Sequence, residues 1–296
     1  MKNVICCLLL LATAEFSFGT VQRAPTVDHM IPAGHLRVHC VVSGQGQALL
    51  FLHAGYQDLY MWDAQAAFFE KYYQVVRMDM PGHGMTTGVD TGLLVADVVR
   101  IVLDSLHIGK AVVAGVSMGA SSATDFVLAY PGRVSRLILV SPGLSGWSAV
   151  MKMDSLSGAL FNRMDSAKGT GDHRVFADLF TRMWCDGPFR QPGEVNARVR
   201  DYIYTTTARN NMNDTAFPVY NQRRAATRLK EIKCPVLIIQ GDKDVPLILK
   251  ETAWYKHELS QARLVNFPGL AHMVNMEKPE EFNRVVYQWL KDAANG

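Results

Sequence analysis

Three separated segments carry the residue types that nucleophilic catalysis needs. The first is Gly115-Val116-Ser117-Met118-Gly119, preceded by the apolar run Ala111-Val112-Val113-Ala114 and followed by a helix-compatible stretch, residues 120–130. This is a G-x-S-x-G pattern in a strand, turn and helix setting. A serine on so sharp a turn needs small residues two before and two after it, where strand and helix approach, and Gly115 and Gly119 supply them. The turn lifts the Ser117 hydroxyl out of the sheet at the positive end of the next helix. A serine nucleophile also needs a base to take its proton and a carboxylate to orient that base. Further along stand Gly241-Asp242-Lys243-Asp244 and Pro268-Gly269-Leu270-Ala271-His272. The chain order serine, acid, histidine fits this kind of sheet. His272 is the candidate base, and Asp242 and Asp244 are both candidates for the carboxylate.

The elements that must position these groups alternate in type. Residues 36–42 alternate, with Leu36, Val38, Cys40 and Val42 facing one way and Arg37 and His39 the other, as in a half-buried antiparallel strand. Residues 48–52 are continuously apolar, as in a strand buried on both faces, and run into His53-Ala54-Gly55-Tyr56. A helical pattern over 61–73, a strand over 74–78, a helix over 91–106, the Ser117 strand and its helix, and a strand over 134–140 follow. Strands alternating with helices predict a mostly parallel, doubly wound α/β sheet. The alternation stops near Ser141-Pro142-Gly143. Helical patterns over 150–167, 173–184, 193–205 and 215–229 fill the gap before strands at 235–240 and 263–266 and a helix over 279–290. Ser117, the Asp242/Asp244 pair and His272 then fall at the carboxyl ends of three parallel strands, where ligands bind open α/β sheets.

Composition sets outer limits. The chain has 296 residues, 49% hydrophobic and 19% charged, with a formal net charge of +3. A full core is affordable, and neither a basic run nor a basic stripe among aromatics points to nucleic acid. Residues 1–19 combine Lys2, an apolar run over 4–12 and small residues at Ser17 and Gly19, the pattern of a secretory signal peptide cut after Gly19 and of a secreted or periplasmic protein. The apolar run is too short to span a bilayer. Cys40, Cys185 and Cys234 remain beyond it, an odd number without a disulfide framework, and read as buried free thiols. No histidine pair or cysteine pair has metal-ligand spacing, so no metal and no other cofactor is expected.

Taken together, residues 34–296 resemble the α/β-hydrolase superfamily in its lidded serine-hydrolase branch. The motifs that carry the resemblance are His53-Ala54-Gly55, Asp79-Met80-Pro81-Gly82-His83-Gly84, Gly115 to Gly119, Gly241 to Asp244 and Gly269 to His272. The resemblance implies Asp244, three residues after its glycine, as the triad acid, with Asp242 as the alternative. It implies an oxyanion hole from the amides of Met118 and Gly55, although His-Ala-Gly stands here where His-Gly is commoner and Tyr56 competes for the second place. His53 and His83 become loop-shaping residues; His29, His35, His39, His107, His173 and His257 have no evident chemical partner in the sequence. The domains follow as a signal peptide (1–19), a first core part (20–142), a helical lid (143–231) and a second core part (232–296).

The lid stretch is rich in Met and aromatics, among them Trp147, Met151, Phe161, Phe176, Phe180, Met183 and Trp184, which suit an apolar pocket. Arg198, Arg200, Arg209, Asn210 and Asn211 could orient a polar group or simply face solvent. The expected activity is hydrolysis of an apolar carboxylic ester or lactone through an acyl-enzyme on Ser117. The resemblance leaves as alternatives C–C bond hydrolases, prolyl aminopeptidases, perhydrolases and a ligand-binding member with little turnover. Dehalogenases and epoxide hydrolases place Asp where Ser117 stands. The sequence sets no oligomeric state.

Overall fold

The computed structural model describes residues 26–210 and 224–292. Eight strands form one sheet: β1 (Val27–Ala33), β2 (Leu36–Ser43), β3 (Ala48–Leu52), β4 (Gln74–Met78), β5 (Ala111–Val116), β6 (Val134–Val140), β7 (Val236–Gly241) and β8 (Arg263–Phe267). Their order is β1-β2-β4-β3-β5-β6-β7-β8. β2 runs antiparallel to both neighbours, and every later pairing is parallel. The helices are α1 (Asp63–Phe69), α2 (Val95–Ser105), α3 (Met118–Ala129), α4 (Ser155–Gly169), α5 (His173–Phe180), α6 (Ala197–Asn210), α7 (Pro246–Glu258), α8 (Val274–Glu277) and α9 (Pro279–Asp292).

The continuously apolar strands divide their side chains between two cores. Leu50 and Leu52 of β3 and Val113 of β5 pack with Val99, Val102, Phe126 and Tyr255 on one face. Leu49 and Phe51 of β3 and Val112 of β5 pack with Trp62, Phe69, Phe282 and Trp289 on the other. Each such residue, fully buried, contributes about 1.5–3 kcal/mol of apolar transfer. That two-sided burial fixes the heights of the strand ends from which the candidate residues project.

The structure departs from the sequence reading in a few places. β1 was not foreseen: its residues, Val27 to Ala33, are mostly exposed and include Pro32, which an edge strand tolerates. The strand 36–43 is not half-solvated: Arg37 is exposed, but His39 turns onto the buried Asp79. His39 and Val41 are as buried as Leu36 and Val38. The helix expected over 61–73 splits into a 3-10 turn, Leu59–Trp62, and α1. Between β6 and β7 lie α4, α5 and α6, with α5 continuing into a π-helical turn, Thr181–Asp186. The fourth helix expected there, over 215–229, lies largely outside the described residues; its described end forms 3-10 turns, Ala225–Thr227 and Leu229–Glu231. The expected signal peptide also lies outside the described residues. Cys40 and Cys185 are buried free thiols, and Cys234 is a half-buried one whose pKa burial pushes up to about 11. Among the described residues no helix is long and apolar enough to cross a membrane.

Candidate active site

Ser117 sits between β5 and α3 with φ 55° and ψ −113°. For a non-glycine residue such a backbone costs on the order of 1–3 kcal/mol and persists only when its surroundings over-determine it. They do so here. The Ser117 N–H donates to Val140 O at 3.0 Å, and Ser117 O accepts from Ser121 N at 3.0 Å and Gly143 N at 3.2 Å. A Cβ on Gly115 would lie 2.3 Å from the Gly119 carbonyl, and one on Gly119 would lie 2.3 Å from Leu52 O. Strand, turn and helix thus close only over hydrogen atoms at both positions.

His272 and Asp244 meet on the loops after β8 and β7, at the same end of the parallel sheet as this turn. His272 Nδ1 lies 2.8 Å from Asp244 Oδ2, with both side chains buried. Asp244 Oδ1 accepts the Val245 N–H at 2.7 Å. The carboxylate therefore fixes the ring's Nδ1–H tautomer, and His272 Nε2 is buried with no hydrogen-bond partner among the described residues, Ser117 Oγ included. Asp242, the alternative, is exposed and turned away: its Oδ1 accepts the Gly269 N–H at 2.7 Å. It braces the loop that carries His272 instead of touching the imidazole. The two loops are also joined by Lys243 N–H to Leu270 O, 2.8 Å.

The turn after β3 faces the start of α3. A Cβ on Gly55 would stand 3.7 Å from Met118 Sδ, so the two residues are neighbours. The Tyr56 N–H is committed to His83 Nε2 at 3.0 Å, whereas the Gly55 and Met118 amides have no acceptor among the described residues. Between the two sequence candidates for the second donor, the geometry thus leaves Gly55 open. His83 can accept because it is neutral: burial drives its pKa down to about 3, and its Nδ1 faces Pro81 O at 3.0 Å. His53 is likewise lowered by burial, with Nδ1 on Ala54 O (2.7 Å) and Nε2 accepting from Met80 N (2.9 Å).

Asp79, fully buried, gathers the surrounding loops. It accepts from Leu59 N (2.8 Å) and Met85 N (2.8 Å) and pairs with His39 Nδ1 (2.7 Å). Burial alone would raise its carboxyl, but the His39 bond and the two amides outweigh that and hold it below the usual carboxylate range. Gly84 is required beside it, with φ 55° and a Cβ position 2.2 Å from the carboxylate. Sequence reasoning had no role for Asp79 or His39, because their partners are 40 residues apart on different elements.

The helical insertion contributes an aromatic wall. The Trp184 and His272 ring centroids are 4.5 Å apart, and Tyr56 packs edge-on against Phe176 (4.9 Å) and Phe180 (5.5 Å). Two of the insertion's sequence-flagged cations are already engaged: Arg200 with Asp186, and Arg209 with Asp58. Asn210 bonds the turn at Tyr56 and Gln57. Among the described residues no group of three or more His, Cys, Asp or Glu could hold a metal ion.

The model of the alpha/beta hydrolase family matches residues 49–285. The chain belongs to that family. Among curated relatives of this hydrolase, a 2-hydroxy-6-oxononadienedioate/2-hydroxy-6-oxononatrienedioate hydrolase of Burkholderia vietnamiensis is 31% identical over 86% of this chain and 91% of its own. A 2-hydroxy-6-oxo-6-phenylhexa-2,4-dienoate hydrolase of Burkholderia cepacia is 28% identical over 95% and 99%. Among solved structures, a thermophilic esterase from Thermogutta terrifontis superposes with TM-score 0.71 at 23% identity, over 91% of this chain and 99% of that one. Likeness at that identity speaks for the hydrolase fold alone.

Proposed function

We propose that the protein is a serine hydrolase of apolar carboxylic esters or lactones, with Ser117 as nucleophile, His272 as base and Asp244 as the group that orients it. The observation that carries the reading is the buried His272–Asp244 pair, its Nε2 without a partner among the described residues, on the loops after β7 and β8 at the same end of the parallel sheet as the strained Ser117 turn. In the proposed reaction Ser117 Oγ attacks the acyl carbon while His272 Nε2 takes the hydroxyl proton. The carbonyl oxygen becomes an oxyanion held by the Gly55 and Met118 amides. Expulsion of the alcohol, protonated by His272, leaves the acyl-enzyme. Water then gives its proton to His272 and its hydroxide to the acyl carbon, and the acid departs as Ser117 regains its proton. The helical insertion acts as a lid in this reading, and its aromatic wall against His272 supports an apolar acyl group. Residues 1–19 support export.

A second reading, a C–C bond hydrolase, is favoured by the relatives' names. A 2-hydroxy-6-oxo-dienoate has no ester, so its hydrolysis must break a carbon–carbon bond beside the ketone. Arg200 and Arg209 are each already paired with a carboxylate, so neither is a free counter-ion for such acids.

The deciding experiment sets p-nitrophenyl esters from acetyl to decanoyl beside a 2-hydroxy-6-oxo-dienoate, with Ser117→Ala and Asp244→Asn alongside. Ester turnover is expected to fall about 10⁶-fold in the first variant and about 10⁴-fold in the second. Turnover of the dienoate alone would replace the ester reading with the second one. Undiminished activity in Ser117→Ala would overturn both.

A further inference from the structure

The turn after β3 is held largely from outside the core. Tyr56 adopts φ 58°, a left-handed backbone that an aromatic residue keeps only under constraint. One constraint comes from the core side, where His83 takes the Tyr56 N–H. The Gln57 N–H closes on Ala54 O within the turn at 3.1 Å, and further bonds come from α6 of the insertion. Asn210 Nδ2 donates to Tyr56 O at 3.1 Å and to Gln57 O at 2.9 Å. Its Oδ1 accepts the Gly84 N–H at 3.3 Å, on the neighbouring loop that Asp79 organises. Two carbonyls on one side and one N–H on the other leave the amide a single consistent orientation. One turn earlier on the same helix, Thr207 Oγ1 accepts from Gln57 Nε2 at 2.9 Å, and both residues are fully buried. Asn210 itself is 1% exposed. A buried amide with all its bonds made is rigid and specific, and costly to leave half-made.

We infer that Asn210 is a positioning residue for the oxyanion turn, so that a seated α6 is a condition for the Gly55 amide to meet the developing charge. The inference rests on the serine-hydrolase reading above and adds regulation to it. The insertion does more than roof the site. When α6 lifts, Tyr56 O, Gln57 O and the Gly84 N–H lose their shared partner, and the turn is released from its strained form. A substrate that seats α6 thereby completes the donor pair, while one that holds it away meets Ser117 without that pair. Donors fixed in place beforehand are what oxyanion stabilisation requires.

The test uses the full chain with p-nitrophenyl butyrate as substrate and phenylboronic acid as the inhibitor that forms a tetrahedral adduct on the serine. Asn210→Asp keeps the acceptor for Gly84 and removes both donations to the turn; Asn210→Ala removes all three bonds. In Asn210→Asp, kcat is expected to fall roughly 10- to 100-fold, part of the 10²–10³ that a lost donor costs. KM should change by less than about threefold, and boronate affinity should fall in step with kcat, as a merely structural role would not produce. Thr207→Val, which removes only the Gln57 contact, should lower kcat by roughly threefold to tenfold, and it carries the test if the Asn210 variants do not fold. A folded Asn210→Asp or Thr207→Val with wild-type kcat and wild-type boronate affinity would overturn the inference. A wild-type protein that neither turns over the ester nor is labelled on Ser117 by a fluorophosphonate would overturn the underlying reading, and this inference with it.

Discussion

At the scale of single residues, the site is surrounded by buried groups whose ionisation matters to folding. Glu251 on α7 is 3% exposed. Burial, then the negative charge of Asp244, raises its pKa from 4.5 to about 9. The folded protein therefore keeps this proton across a window in which the unfolded chain releases it. Folding takes up a proton there, and stability falls as pH rises through that window, by up to about 1.4 kcal/mol per unit. Glu251→Gln should leave stability nearly unchanged at pH 4 and raise it by several degrees of melting temperature at pH 8, measured by thermal scans across pH. A gain of equal size at both pH values would remove the charge explanation. Asp79 has the opposite sign: its depressed pKa gives stability that is present at neutral pH and lost as pH falls through the lowered value. His83 acts in the same direction, because the folded state refuses a proton that the unfolded chain takes up below about pH 6.5.

At the scale of elements, two of the insertion's fastenings to the core rest on buried carboxylates. α6 grips the turn at residues 56–58, where Tyr202 O–H also donates to Asp58 at 2.5 Å. The second fastening is Arg190, which pairs with Glu277 of α8 through bonds of 2.8 and 2.9 Å and donates to Cys185 O, Asp186 O and Gly269 O. Both side chains are 5% exposed. It spans from the π-helical turn carrying Trp184 to the loop carrying His272. Removing one partner of a buried pair strands the other charge, at about 3–5 kcal/mol. Glu277→Ala should lose that much stability in urea unfolding, while the double change Glu277→Leu with Arg190→Met should lose distinctly less. An equal loss in both would mean that the pair's attraction outweighs its desolvation.

At the scale of the whole molecule, much was legible in the sequence. Period-two and all-apolar runs marked seven of the eight strands, because burial on one or both faces writes itself into local pattern. Ser117, His272 and the two candidate carboxylates stand out as candidates because each follows such a run in a glycine-marked turn. What stayed hidden depends on separation along the chain. Asp244 and Asp242 are equivalent in composition and differ only in which loop atom each faces. Arg200, Arg209 and Asn210 looked alike as polar residues of a helix, yet two pair with buried carboxylates and the third bridges two loops. β1 carries too few buried positions to leave a periodic trace.

The contact between Trp184 and His272 gives the site an optical handle. An indole's emission depends on what its ring touches. With centroids 4.5 Å apart, the glow of Trp184 should change when the neighbouring ring is displaced or covered. Trp254, stacked 5.6 Å from His257, would give a competing signal. In a Trp254→Phe background, ligand binding should shift the emission, and the shift should be lost in Trp184→Phe. A ligand sliding between the two rings would then be seen as light before any chemistry took place.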